Sequence, residues 1–170
     1  MKNFNYAFDK TMGNEGGFVL HKNEGDSGGW TYAGIAENHW PKWEGWPIVR
    51  ANEQDDRLLD MVKEFYKTNF WDRMRLDEIK DHKKAYTIFD FGMNAGIKPA
   101  VKIAQRSVGA TVDGVIGPNT INKINMTDSE LFELRFGMGK IKRYIQISKT
   151  KNKQFFRGWI IRTVNVIDAK

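Results

Sequence analysis

Apolar side chains at Phe4, Ala7, Phe8 and Met12 follow the spacing of one face of a short amphipathic helix. Gly13 and the pair Gly16-Gly17 stop that pattern and set Glu15 at or just beyond the C-terminal end of the helix. Glycines at 25, 28, 29 and 34 then separate the runs Phe18-Val19-Leu20 and Trp30-Thr31-Tyr32. Glycine supplies the positive φ of tight turns, so this stretch predicts a small irregular hairpin or β-lobe. Helical periodicity resumes after Pro47. Asp55 and Asp56 sit at the favourable dipole end of a helix whose stripe is Leu58, Leu59, Val62, Phe65 and Tyr66.

Residues 83–95 are apolar almost all round through Ala85, Ile88, Phe89, Phe91 and Met93, as a central buried helix would be. A further helix is expected over 99–108. Asp113-Gly114 reads as a turn, and Gly117-Pro118 opens another helix with proline at its first position, where the missing N–H costs nothing. Thr127-Asp128-Ser129-Glu130 begins a long helix whose stripe Leu131, Leu134, Met138, Ile141 and Ile145 is expected to face the core, leaving Lys140, Lys142, Arg143, Lys149, Lys151 and Lys153 to solvent. A last helix is expected over 154–167. The fold class predicted is α+β, mainly α, with a small Gly-rich β-lobe near the N-terminus and a helical C-terminal part.

Of 170 residues, 41% are hydrophobic, including six Trp and eleven Phe, enough apolar surface to offset the entropy of ordering the chain. No run approaches the roughly 18 apolar residues that span a bilayer. The start, MKNFNYAFDK, lacks the apolar region of a secretory signal, so synthesis in the cytoplasm is expected. Cysteine is absent, which removes disulfides and thiolate chemistry. The three histidines, His21, His39 and His82, are scattered rather than spaced as ligands on one helix face, and neither a metal nor a cofactor is expected.

Charge is uneven along the chain. Residues 1–96 hold 13 Lys+Arg and 16 Asp+Glu, a net −3, whereas 97–170 hold 14 and 5, a net +9. A basic C-terminal part attracts polyanions: nucleic acid, anionic lipid or a wall rich in phosphate and carboxylate.

The opening stretch is where chemistry concentrates. A carboxylic acid acts as a general acid near neutral pH only when burial or a like charge raises its pKa. A helix end beside Phe18, Trp30 and Tyr32 offers both partial desolvation and the negative end of the dipole. Asp26, across a Gly-rich turn, would face Glu15 over a cleft. Two carboxylates so placed serve glycosidic bond cleavage, one protonating the leaving oxygen and the other activating water or trapping the sugar cation. Thr31 offers a hydroxyl to position that water, and Asn94 an amide to hold an acetamido or hydroxyl group. Against this stands the plain alternative that Glu15 is a solvated residue, DSGG an ordinary turn, and Trp30, Tyr32, Trp40, Trp43 and Trp46 core anchors. Sugar rings stack on Trp and Tyr, which makes Trp30 and Tyr32 candidate substrate contacts. DGVIGPNT lacks the ending of a phosphate-binding loop, and no specific nucleic acid is expected.

NEGGF followed by DSGGWTYAGI resembles the signature of glycoside hydrolase family 108, the N-acetylmuramidases of phage endolysins and related wall hydrolases. FWDRMRL (70–76) and FDFGMNAG (89–96) are similar to later blocks of that family, and AQRSVGATVDGVIGPNT (104–120) resembles the peptidoglycan-binding-type segment that follows it. Gly13 stands where an acidic residue is common, and Phe18 replaces the usual Tyr. The resemblance implies a lysozyme-like fold and hydrolysis of the β-1,4 bond between N-acetylmuramic acid and N-acetylglucosamine. It implies Glu15 as the catalytic acid, with Asp26 and Thr31 in the Glu, Asp, Thr order of phage-type lysozymes. The expected organisation is a muramidase region over 1–96 and a helical peptidoglycan-binding-type region over 97–170, packed as one unit. The expected partners are peptidoglycan and, through the basic part, an anionic wall surface, approached by a monomeric endolysin after its release from the host cytoplasm. The alternative from another class is a non-catalytic wall- or polyanion-binding protein on the same scaffold.

Overall fold

The molecule is built around one helix, α4 (His82–Ala95), along which every residue from Lys84 to Gly92 is buried. Asp81 caps it, its carboxylate accepting the N–H groups of Lys83 at 2.8 Å and Lys84 at 3.4 Å. Two of the orphan donors of the first turn are thereby satisfied. The computed structural model describes residues 2–14, 17–22, 28–148 and 156–168. Helix α1 (Lys2–Asn14) and helix α5 (Ile97–Ser107) both pack on α4. Phe4 of α1 meets Phe89 of α4 at 6.0 Å and Trp71 at 5.4 Å, both edge-on, the arrangement aromatic quadrupoles favour.

Between α1 and α4 the chain forms three short strands, β1 (Leu20–Lys22), β2 (Trp30–Tyr32) and β3 (Ile35–Ala36), in one antiparallel sheet of order β1-β2-β3. Then come α2 (Trp46–Ala51) and α3 (Arg57–Tyr66). Helix α3 passes into a single π-helical turn, Lys67–Trp71, a rare geometry that recurs near functional sites. Leu58, Val62, Phe65 and Tyr66 are buried as the stripe predicts, but Leu59 is exposed.

The C-terminal part comprises α6 (Pro118–Met126), α7 (Ser129–Ser148) and α8 (Phe156–Asp168). Pro118 opens α6 as expected. The Asp113-Gly114 turn is organised by the buried amide of Gln105, which donates to Asp113 Oδ1 at 2.7 Å and to the Val115 carbonyl at 3.0 Å and accepts the Gly114 N–H at 2.9 Å. Lys84 is buried on α4, and its ammonium donates to the Ile124 carbonyl at 2.9 Å and to that of Thr127. A cation at the C-terminus of α6 complements the carbonyls left over there, and it fastens α6 to the central helix.

On α7 the structure corrects the predicted facing. The buried residues are Phe132, Phe136, Gly137, Lys140 and Tyr144, whereas Leu131, Leu134, Met138 and Ile145 are exposed. The face is rotated by one residue, about 100° of helix, because the aromatic rings bury more apolar area than the aliphatic chains. Lys140, expected in solvent, is 1% exposed. Its ammonium lies 3.7 Å from the carboxylate of Asp90 and over the ring of Phe91 at 5.5 Å. The same carboxylate accepts Arg162 of α8, and Trp159 stacks on Tyr144 at 5.0 Å. One contiguous core results, running from Phe4 to Tyr144.

Candidate functional site

Strands β1 and β2 set the lobe that carries the candidate residues. The register pairs Leu20 with Tyr32, His21 with Thr31 and Lys22 with Trp30. Thr31 also pairs with Ala36, and Tyr32 with Ile35. Successive side chains of a strand point to opposite faces, so Leu20, Tyr32 and Ile35 share the face toward the core and Thr31 lies on the other. Thr31 is half-buried there. Trp30 shares the face of Tyr32 but stands at the strand's outer end, paired with Lys22, and is 45% exposed.

Tyr32 occupies a different environment from the one expected of a sugar-stacking residue. It is 1% exposed, its ring stacks against Trp43 at 6.2 Å and meets Phe18 edge-on, and its hydroxyl donates to the Glu53 carbonyl at 2.9 Å. Burial, and after it the Glu53 charge, push the phenol above its ordinary value. No open ring face is left for a ligand, and the residue braces the lobe from inside.

The lobe is tied to the helical body by Glu53, which the sequence pattern did not single out, and by Tyr66, which it placed only on an apolar helical stripe. Glu53, in the segment between α2 and α3, accepts the Leu20 N–H on its side chain at 2.9 Å and the Tyr32 hydroxyl on its carbonyl. Tyr66, the last residue of α3, donates its hydroxyl to the Ala33 carbonyl at 2.8 Å. Ala33 and Gly34 form the two-residue turn between β2 and β3 with φ of 45° and 78°, the positive values that match the twist of a hairpin. A Cβ on Gly34 would sit 2.6 Å from the Tyr66 hydroxyl, so this position needs glycine for space as well as for φ. No local signal announces either tie, since each joins residues 21 to 33 positions apart.

Helix α1 ends at Asn14, and its buried Phe4, Ala7, Phe8 and Met12 fix that end against the core. The two candidate carboxylates, Glu15 and Asp26, lie outside the described residues. Asn94 is exposed near the end of α4, and its side-chain N–H donates to the Asp90 carbonyl at 3.1 Å, which leaves its amide oxygen for other partners. The aromatics 40 to 46 fall in two groups. Trp46 is buried, with its indole N–H donated to the Trp40 carbonyl at 2.8 Å. Trp40 and Trp43, with Phe65, floor a groove of about 870 Å³ beside α3 and the π-helical turn, rimmed by Glu44, Asp60, Glu64 and Asn69. Aromatic faces flanked by carboxylate and amide groups suit a polar ring with hydroxyls at its edge. Among the described residues no group of three or more His, Asp or Glu is placed to hold a metal ion, and no helix is long and apolar enough to cross a membrane.

The fold is shared with the structure of SagA from Brucella abortus, at a TM-score of 0.78 and 24% identity, over 98% of this chain and 92% of that one. It is the mainly helical α+β, lysozyme-like arrangement with a small antiparallel sheet. No curated protein matches the chain by sequence. Residues 99–164 match a family described as a predicted peptidoglycan domain, and residues 8–96 match the family described as glycosyl hydrolase 108. The chain belongs to the glycosyl hydrolase 108 family and, with the peptidoglycan domain behind it, is a glycoside hydrolase type of protein directed at peptidoglycan.

Proposed function

We propose that this protein is a muramidase that hydrolyses the β-1,4 bond between N-acetylmuramic acid and N-acetylglucosamine, acting as an endolysin that lyses the host cell from within. The observation that supports the reading is a helix anchored in the core leading directly into the Glu15 stretch, together with a hairpin fastened to the helical body. Helix α1 stops at Asn14, one residue before Glu15, while the hairpin holding Thr31 is fixed by Tyr66 and Glu53. Catalytic groups work when their supports leave them little freedom.

In this reading Glu15 protonates the glycosidic oxygen, and Asp26 stabilises the developing sugar cation or activates water. The Thr31 hydroxyl orients the water. Exposed Trp30 stacks on a sugar ring, Asn94 accepts a substrate N–H or O–H on its amide oxygen, and Tyr32 supports the strand from the core. Two carboxylates and a water supply this chemistry, so the proposal involves no cofactor. The protein works as a monomer, made in the cytoplasm and reaching the wall after release.

A zymogram of the purified protein on cell walls tests the enzymatic reading directly. Clearing is expected. Wall binding without clearing would favour a non-catalytic wall-binding protein on the same scaffold, a possibility that fold alone does not remove.

A further inference from the structure

Between α5 and α7 the surface opens into a groove of about 1030 Å³. Its walls carry six cations, Lys98, Lys102 and Arg106 from α5 and Arg135, Lys142 and Arg143 from α7. No carboxylate and no aromatic side chain occurs in its described lining. Ile103, Leu131, Leu134 and Met138 make the floor apolar. The last three are 39%, 61% and 48% exposed, an aliphatic stripe left over once the aromatic face of α7 had entered the core. The helices meet along this floor because Gly139 has no side chain: a Cβ there would stand 2.6 Å from Cγ2 of Ile103.

Contiguous exposed apolar surface edged by one sign of charge marks a binding face. The groove offers no ring for a sugar to stack on, in contrast to the Trp40, Trp43 and Phe65 groove beside α3. A second copy of the same face would bring six cations against six, which like-charge repulsion opposes. What fits is an anion with short apolar groups. In peptidoglycan the glycan backbone is uncharged where its lactyl groups are amidated, and the carboxylates sit on the peptide stems beside alanyl methyl groups. Several of the cations are available to such a ligand. Lys98, Arg106 and Lys142 make no side-chain hydrogen bond or ion pair among the described residues, and Arg143 Nε is buried without a hydrogen-bond partner among them. Arg135 is partly engaged, donating to the Ser107 carbonyl at 3.2 Å.

We propose that the α5–α7 groove holds the peptide stems of peptidoglycan by their carboxylates, with the alanyl methyl groups over Leu131, Leu134 and Met138. The proposal rests on peptidoglycan being the partner and not on the hydrolysis reaction. Guanidinium and ammonium groups bind carboxylate through charge-assisted hydrogen bonds, and two facing rows of cations suit an extended stem carrying more than one carboxylate.

The test is a titration of the full chain, followed by amide NMR, with a synthetic stem peptide of alanine, γ-linked glutamate, diaminopimelate and alanine. The same peptide with its carboxylates amidated, chitotetraose, and phosphatidylglycerol vesicles are the comparisons. Saturable binding of the free-acid peptide with shifts along α5 and α7 is expected. It should weaken about tenfold or more in the triple variant Lys98→Gln, Arg106→Gln, Lys142→Gln. The unmodified chain should also lose the peptide as salt rises from about 0.1 to 1 M and the Debye length falls from about 10 to 3 Å, which keeps the test intact if the variant folds poorly. Undiminished binding at high salt or in a folded triple variant overturns the proposal. So does equal binding of the amidated peptide, chitotetraose shifting the same helices, or vesicles binding where the peptide does not. A chain that binds stems without cleaving walls contradicts the muramidase reading alone, and one that cleaves walls without binding stems contradicts this proposal alone.

Discussion

The carboxylate of Asp90, wholly buried on α4, receives Arg162 of α8 through Nη2 at 2.6 Å and Nε at 3.1 Å. With Lys140 of α7 at 3.7 Å, beyond hydrogen-bond length, one anion faces two cations in the core. Burial holds the Lys140 ammonium below its ordinary value, and Arg162 adds to that while Asp90 opposes it. Removing the anion takes the Asp90 charge away from both cations; removing Lys140 leaves the Asp90–Arg162 pair in place.

Asp90→Asn is therefore expected to cost about 3–5 kcal/mol and Lys140→Met less than about 1 kcal/mol, or to stabilise. Urea denaturation of both variants checks this. A Lys140→Met variant that loses as much stability as Asp90→Asn would show that the lysine, rather than the carboxylate, organises the cluster.

Tyr144 gives a prediction at alkaline pH. Buried among Phe91, Trp159 and the Asp90 charge, its phenol is pushed up from about 10 to about 12. The unfolded chain then releases this proton at lower pH than the folded one. The stabilisation is fully present below pH 10 and is lost as pH rises from 10 to about 12, an effect on the order of 2–3 kcal/mol. Tyr144→Phe should flatten the fall in stability over that window. If stability between pH 10 and 12 drops as steeply in Tyr144→Phe as in the parent, the titration belongs to another group.

The hairpin tie is open to a coupling test. Gly34→Ala meets both a φ of 78° and the Tyr66 hydroxyl at 2.6 Å, and should cost about 2–3 kcal/mol through strain and the lost hydrogen bond to Ala33. In a Tyr66→Phe background the obstructing atom is gone, so the same change should cost less. Equal costs in the two backgrounds, measured by thermal or urea unfolding, would mean that Tyr66 does not fasten the turn.

Much of this architecture was legible in the chain. Continuous apolar character marked α4 as central, Pro118 marked the start of α6, and glycines located the lobe. Facing was not legible on α7, which carries two interleaved stripes: Leu131, Leu134, Met138 and Ile145 beside Phe132, Phe136 and Tyr144. Both repeat at helical spacing, so periodicity fixes the helix without choosing its inner face. Lys140 hid the choice further, because a buried lysine is written with the same letter as a solvated one. Its burial depends on Asp90, fifty residues earlier in the sequence. At the site, Trp30 and Thr31 could be nominated from composition and resemblance, but Glu53 and Tyr66 act through contacts made only by folding. The core position of Tyr32 follows from strand alternation once the register is known, and three-residue strands are too short to announce a register.

In the proposed mechanism Glu15 donates the proton that breaks the muramyl bond. The measurement is mass spectrometry of borohydride-reduced fragments released from purified peptidoglycan by the parent and by Glu15→Gln, which keeps the size of the side chain and cannot donate a proton. The parent should create new reducing ends on N-acetylmuramic acid, and Glu15→Gln should release them at least about 10²-fold more slowly with unfolding behaviour unchanged. Reducing ends on N-acetylglucosamine, or no new reducing ends at all, would rule out a muramidase, and release by Glu15→Gln at the parent's rate would rule out Glu15 as the proton donor.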